Sequence, residues 1–448
     1  MSEAQEIGIG QEADPQIKEE MGVYNDAELQ AYVNEIGQRM AKISERPNLP
    51  WRFTVVDAPV INAFAIPGGF IYITRGIMPF LDNEAELAGV IGHEIGHVTA
   101  RHSAQQYTRQ VGGTVGLAAL SIFVPAARPF GELGGQALGV LFLRYGRDDE
   151  LQADELGARY EATIGWDPAG VPAFLTTLGR LDEAGAERRG VPGWLSTHPE
   201  PLTRVRDIQP TVEKLKTGRT TFDTNREAFV RRIDGIMYGD NPEQGVTRGN
   251  TFLHPPLRFR IEFPTGWDIQ NTPQQVLAKA PGADIFEILQ LVQKPQGRNI
   301  QEIALNSMSG AGFRGEGQTT TINGLNAFVG VYQGQIEGLG NVVVRGAHIA
   351  HNNNVFFVAG IVPPSLFQQA DGAILTSIRT FRSLSAGEAE AIRPNRVDLY
   401  VVRAGDTWAS IAERSGGVIK PNTLAVMNNA SPTSQPEVGT RIKIVVAG

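Results

Sequence analysis

His93-Glu94-Ile95-Gly96-His97 sets two imidazoles four residues apart, with a carboxylate directly after the first. On a helix of 3.6 residues per turn the two histidines lie about 40° apart on one face, so both rings reach one ion. The chemistry this suits is hydrolysis, with the metal polarising a carbonyl and Glu94 taking a proton from water. The competing reading is a chance match in a solvated helix, which is rare in a chain with 7 histidines among 448 residues. The chain has no cysteine, which excludes disulfides, thiolate ligands, a cysteine nucleophile and thioether lipidation. Any metal must be held by histidines and carboxylates.

A tetrahedral catalytic zinc needs a third protein ligand and an open position. Glu150-Leu151-Gln152-Ala153-Asp154 offers both a ligand and its support. With Glu150 on the ion, Asp154, four residues on, can accept the other ring proton of a ligating histidine. Asp149 and Glu155 compete locally, and a solvated acidic helix start favoured by the helix dipole is the plainer alternative.

These residues need elements to position them. Asn83 and Glu86 form a capping box for a helix running to about Arg101, on which Leu87, Val90, Ile91, Ile95 and Val98 make the buried stripe. Gly89, Gly92 and Gly96 cluster on another face at a cost of roughly 1 kcal/mol each in helix propensity, so close approach of another backbone is expected there. Upstream, Leu29, Val33, Ile36 and Met40 give an amphipathic helix capped by Asn25 with Glu28. Trp51 to Asp57, Ile61 to Ile66 and Phe70 to Thr74 read as strands, with Pro67-Gly68-Gly69 as a turn. Helices follow from about Asp149 to Thr163 and after Asp167-Pro168.

The length exceeds what one core usually organises. The fold class expected is α+β multidomain: a mainly helical peptidase domain with a small sheet over 1-240, an α+β domain over 246-385 and a βααβ module over 397-448. Turn formers near Tyr238 to Gly245 mark the first boundary, and 386 to 396 reads as a linker before a small separate module. A net charge of −8 without long basic runs excludes nucleic acid as the expected partner. The start lacks a basic region followed by an apolar run, so any leader is not present in this chain. The apolar run from Val111 to Val124, about 14 residues, is too short to cross a bilayer. The segment 111-143 is instead a candidate membrane-surface contact or substrate-covering plug.

Taken together, H-E-I-G-H, E-L-Q-A-D-E-L-G and T-H-P-E-P-L-T-R resemble the zinc peptidases that include HtpX and the CAAX prenyl protease, nearest their soluble BepA-like branch. The resemblance runs from about Glu6 to Leu215 and includes Asn62 to Gly69. It implies a zincin-type endopeptidase with one zinc per chain held by His93, His97 and Glu150, and Glu94 as general base. It also places His198 near the metal, either donating to the oxyanion or binding as an inhibitory fourth ligand. An extended substrate would add to the strand at Asn62, Ala63 and Phe64, giving the broad sequence tolerance suited to unfolded or misassembled proteins in the cell envelope or periplasm. No tetratricopeptide repeats follow.

The middle domain is similar to PsbP-type α+β domains. Tyr400 to Trp408, Ile411-Ala412, Asn428 and Gly439 to Ile444 resemble a LysM domain, with Ala404 and Trp408 replacing the more frequent Pro and Leu. That resemblance implies peptidoglycan binding through residues 398-448, with a chain truncated before Ala386 keeping its protease chemistry. The sequence leaves two other functions open: a chaperone-like binding protein with a plugged zinc site, and a zinc hydrolase of peptidoglycan crosslinks.

Overall fold

A computed structural model of the chain describes residues 1-105, 145-183, 194-219, 221-336 and 338-448. The segment 111-143, expected as plug or membrane contact, lies outside the described residues. Among the described residues no helix is long and apolar enough to cross a membrane.

Helix α1 (Glu3–Met21), which the sparse apolar pattern did not reveal, starts at a Ser2–Gln5 capping box. It packs Ala13, Ile17 and Met21 onto Val56, Phe64, Ile66 and Phe70. Helix α2 (Ala27–Ala41) is capped by Asp26, not by Asn25: the helix begins at Ala27, so the free amide in reach is that of Leu29, 2.9 Å from Asp26. Strands β1 (Arg52–Val56), β2 (Ala63–Ile66) and β3 (Phe70–Thr74) form a sheet in the order β1-β3-β2. β1 runs parallel to β3, while β2 and β3 form a hairpin pairing Ala63 with Ile73 and Ile66 with Phe70. Its turn needs positive φ at two successive residues, 91° at Gly68 and 93° at Gly69, which glycine adopts without strain.

Helix α3 (Glu84–Thr99) starts at Asn83, whose side chain accepts from the Glu86 amide at 3.0 Å. Glu86 reaches back one residue further than the expected box, to the Asp82 amide at 2.8 Å. The helices that follow are α4 (Arg147–Ile164), α5 (Gly170–Glu183), the single turn α6 (Trp194–Thr197), α7 (Pro201–Lys216) and α8 (Arg226–Arg232). The glycine face of α3 meets backbone, as its propensity cost implied. A Cβ on Gly96 would lie 3.0 Å from the Ala153 Cα, and one on Gly157 of α4 would lie 3.0 Å from the His93 nitrogen. Small residues therefore let α3 and α4 touch main chain to main chain.

The chain divides into two units. The first combines the described residues of Met1–Thr114 and Ala137–Gly239 with Pro394–Gly448, and the second is built on Asp240–Arg393. In the second, a seven-stranded sheet runs, in spatial order, through the strands Arg314–Ile322, Leu325–Ile336, Gly340–His351, Asn354–Val362, Phe286–Leu291, Gln275–Lys279 and Asp268–Asn271. Strands β10 (Phe286–Leu291), β12 (Leu325–Ile336), β13 (Gly340–His351) and β14 (Asn354–Val362) form its centre. Alternate residues of those strands feed two cores, one including Ala304 and Met308 of the helix Ile300–Gly310 and the other Ile374 and Ile378 of the helix Phe367–Arg379.

The tail is strand, helix, helix, strand: β16 (Asn395–Val401), Trp408–Arg414, Pro421–Met427 and β17 (Arg441–Val446). It is not the separate module expected. Val397, Trp408, Ile411, Leu424 and Val445 join one apolar cluster with Leu87, Val90 and Ile91 of α3. β16 also pairs antiparallel with β4 (Met237–Tyr238), Asn395 opposite Tyr238. The expected linker is ordered: a Ser385–Glu388 capping box starts a short helix, Ala386–Glu390, and β16 begins at Asn395.

Candidate metal centre

His93 and His97 leave α3 one turn apart, and the glycine contact brings α4 near enough for Glu150 and Asp154 to meet them. His198, just beyond α6, completes a group of four buried donors, His93, His97, Glu150 and His198, with their ligand atoms within 4.8 Å of one another. The His93 Nε2 lies 3.0 Å from the His97 Nε2 and 3.3 Å from the His198 Nδ1. Glu150 Oε1 lies 3.4 Å from the His97 Nε2 and 2.8 Å from the His198 Nδ1. Bonds of about 2.0–2.1 Å from a tetrahedral first-row metal require donor separations of about 3.3–3.4 Å, so the spacing and the nitrogen–oxygen donor set both fit such an ion.

His198 reaches the group through local tethers. Its amide donates to the Trp194 carbonyl at 2.7 Å, the Trp194 amide donates to the Ile61 carbonyl at 2.9 Å, and the indole stacks on its ring with centroids 4.3 Å apart. The Tyr145 ring stacks on His97 at 3.8 Å.

Asp154 stands behind His93, its Oδ1 2.8 Å from the His93 Nδ1. Arg204 of α7 donates to both Asp154 oxygens, at 2.8 and 2.6 Å, and pairs with Glu150. Sequence reasoning missed Arg204; the signal lay in T-H-P-E-P-L-T-R, six residues past His198. It also missed His102, whose Nδ1 is 3.0 Å from the His97 Nδ1.

Burial is the largest influence on His93, Glu94, His97, Glu150 and Asp154. It lowers His93, against the pull of Asp154, and lowers His97 well below the usual imidazole value, helped by His93. Burial raises Glu150, but the charges of His198 and Arg204 overcome it and hold that carboxyl well below its ordinary range. For Asp154 the Arg204 guanidinium likewise prevails over burial. Glu94 is the exception: burial pushes it up to about 7, offset in part by His198. Its oxygens have no hydrogen bond of good geometry among the described residues, the Ala65 backbone and the His198 ring 3.7 Å away giving weak relief. The arrangement therefore sets unprotonated His93, His97 and Glu150 facing one point beside a carboxylate free to exchange a proton near neutrality.

Asn62 is buried at the entry to β2, its amide donating to Thr74 Oγ1 at 3.0 Å. Ala63 and Phe64 lie in β2, which is an edge strand of its sheet. Ala63 faces the core that contains α3, and Phe64 turns the other way, stacked on Tyr72 at 4.9 Å beneath α1.

Residues 27–212 match the family described as Peptidase family M48, and residues 400–445 match the LysM domain. The chain is 32% identical over 221 residues to the mitochondrial metalloendopeptidase OMA1 of Schizosaccharomyces pombe, covering 47% of this chain and 63% of that protein. It is 31% identical over 226 residues to the beta-barrel assembly-enhancing protease of Escherichia coli strain K12, covering 48% of this chain and 45% of that protein. The chain thus spans less than two thirds of either relative. The solution structure of cyanobacterial PsbP from Synechocystis is similar at 11% identity and TM-score 0.21, covering 31% of this chain and 95% of that chain, a likeness that carries no argument.

Proposed function

The chain carries a peptidase family M48 domain over residues 27–212 and a LysM domain over residues 400–445, and from that premise we propose that it is a zinc metalloendopeptidase of the cell envelope. The carrying observation is the convergence of His93, His97, Glu150 and His198 beside the buried Glu94. Two imidazoles and a carboxylate, with no cysteine in the chain, suit zinc. Zinc bound there supplies Lewis acidity, polarising a peptide carbonyl and making water easier to deprotonate.

The protein's own groups do the rest. Glu94, pushed up to about 7, takes the water proton and passes it to the leaving amine. Asp154 and Arg204 hold His93 in orientation. β2 presents an edge at Asn62, Ala63 and Phe64 to which an extended substrate can add by main-chain hydrogen bonds, without regard to sequence, as suits unfolded or misassembled proteins. The tail supplies peptidoglycan binding through 398–448.

His198 supports a second reading of the same site. Its Nδ1 lies among the donors, and an ion held by all four would keep no open position, so on this reading turnover would require His198 to withdraw. A peptide-cleavage assay with bound metal quantified tests both. Glu94→Gln should keep one zinc and lose turnover by about a thousandfold or more, because the proton acceptor is removed and the ligands are not. His198→Ala should retain zinc and cleave faster. Full activity in Glu94→Gln would remove Glu94 from its role as the base, and slower cleavage in His198→Ala would make that histidine an oxyanion donor instead.

A further inference from the structure

His97 needs a hydrogen-bond acceptor as much as His93 does, and its acceptor is of a different kind. A metal-facing Nε2 has no proton, so the His97 Nδ1 carries it and must donate it. For His93 the receiving atom is the Asp154 carboxylate. For His97 the nearest partner is a third imidazole, His102, whose Nδ1 is 3.0 Å away and whose side chain is buried. The His102 Nε2 in turn lies 3.0 Å from Gln152 Oε1 and 3.6 Å from Asp149 Oδ1, both acceptors. Only one assignment satisfies every contact: His97 Nδ1–H donates to the bare His102 Nδ1, and His102 Nε2–H donates to Gln152.

The placement of His102 requires a break in the helix. Had α3 continued, a residue five positions after His97 would sit about 140° round the helix from it. α3 ends at Thr99, and Arg101 takes φ 64°, a left-handed conformation costly for a residue with a Cβ. Arg101 is held by ion pairing to the buried Glu6 of α1 and by donating to the Met1 carbonyl. A costly backbone conformation maintained by partners from another helix, with the result that His102 folds back onto His97, marks a placement with a purpose.

The geometry points to His102 as a positioning residue that fixes His97 in its metal-binding tautomer through the relay His97–His102–Gln152, the neutral counterpart of His93–Asp154–Arg204. This rests on the metal-centre reading above and goes beyond it.

The test is zinc affinity, measured by chelator competition on the full-length protein, with the melting temperature of the zinc-free form recorded beside it. His102→Leu should weaken zinc about 10- to 100-fold while the zinc-free melting temperature changes little, because a packing role would move the melt and a tautomer role moves the metal. His102→Gln, which restores an acceptor oxygen, should recover most of that loss. Gln152→Met, at an exposed position that cannot threaten the fold, should weaken zinc by a smaller factor. Zinc affinity within twofold of the unmodified protein in both His102→Leu and Gln152→Met overturns the relay. So does an equal loss in His102→Leu and His102→Gln. Absence of zinc binding by the unmodified protein would instead defeat the metal-centre reading itself.

Discussion

Asp240–Arg393 and Pro394–Gly448 follow one another in sequence yet are built differently: one folds around its own cores, the other within the unit that carries the four-donor cluster. The larger segment has two cores of its own, one on each face of its seven-stranded sheet. The smaller one has no core apart from that unit's: its apolar residues pack in one cluster with those of α3, and Lys443 is fully buried, donating to the Leu81 carbonyl 3.9 Å from Asp82. The chain leaves the first unit on β4 and returns on β16, β4's antiparallel neighbour, so the larger segment is an insertion between paired strands. What looks in sequence like a terminal appendage is thereby part of the unit that holds the four-donor cluster, and what looks central is the insertion.

The most damaging way to probe that contrast is deletion. Ending the chain at Arg393 should give a poorly soluble protein with little bound zinc, whereas excising Asp240–Arg393 and joining Gly239 to Pro394 by a short Gly/Ser linker should keep one zinc and a cooperative melt. A tail-less protein that melts with the full-length one and keeps its metal would restore the tail to the status of a free tether, with protease chemistry independent of it, as the sequence alone suggested.

A smaller lesion falls on the contact itself. Burial lowers Lys443 to about 8, while Asp82 and Glu86 pull it back up, so it remains charged at neutral pH. Lys443→Met leaves those acids at the start of α3 without their buried cation and should cost about 2–4 kcal/mol in urea unfolding of the first unit. Unchanged stability would mean that the tail's apolar contacts alone hold it in place.

The smallest effect separates the units by pH. Burial pushes Glu287, in the insertion, up to about 8 against the opposing hydrogen bond from Ser377. Its folded pKa lies above the unfolded one, so its contribution is complete below about pH 4.5 and is lost as pH rises through 8. Amide exchange at Ile288 and Leu289 should therefore quicken from pH 5 to 8 beyond the intrinsic rate, by roughly 2–3 kcal/mol of lost protection, and Glu287→Gln should flatten the dependence. Equal pH slopes in the two proteins would place the ionisation elsewhere.

The residues that carry local chemistry were legible because their spacing is itself the signal. His93, Glu94 and His97 lie on one helix, and Glu150 and Asp154 on one turn of another. The glycines of α3 announced a backbone contact through their cost, and the PGG hairpin and the strand-helix-helix-strand tail follow from turn chemistry and periodicity. Arg204 and His102 were not legible, because their roles arise from long-range folding and from a left-handed residue that no pattern marks. Helix α1 has too weak an apolar stripe to declare itself before the sheet it covers is known. The docking of the tail was hidden for a related reason: Trp408 and Lys443 read equally well as parts of a small separate core.

Contact between α3 and α4 runs through Gly96, Gly157 and Ala153, main chain against main chain. Backbone atoms have no rotamers to sample, so the separation of the helices that carry His93, His97 and Glu150 is fixed by the bore of two helices rather than by how side chains pack around them. Core substitutions elsewhere in the unit can therefore change its melting point while leaving the gauge of the ion's seat untouched, and drift in sequence is felt as stability before it is felt as metal selectivity.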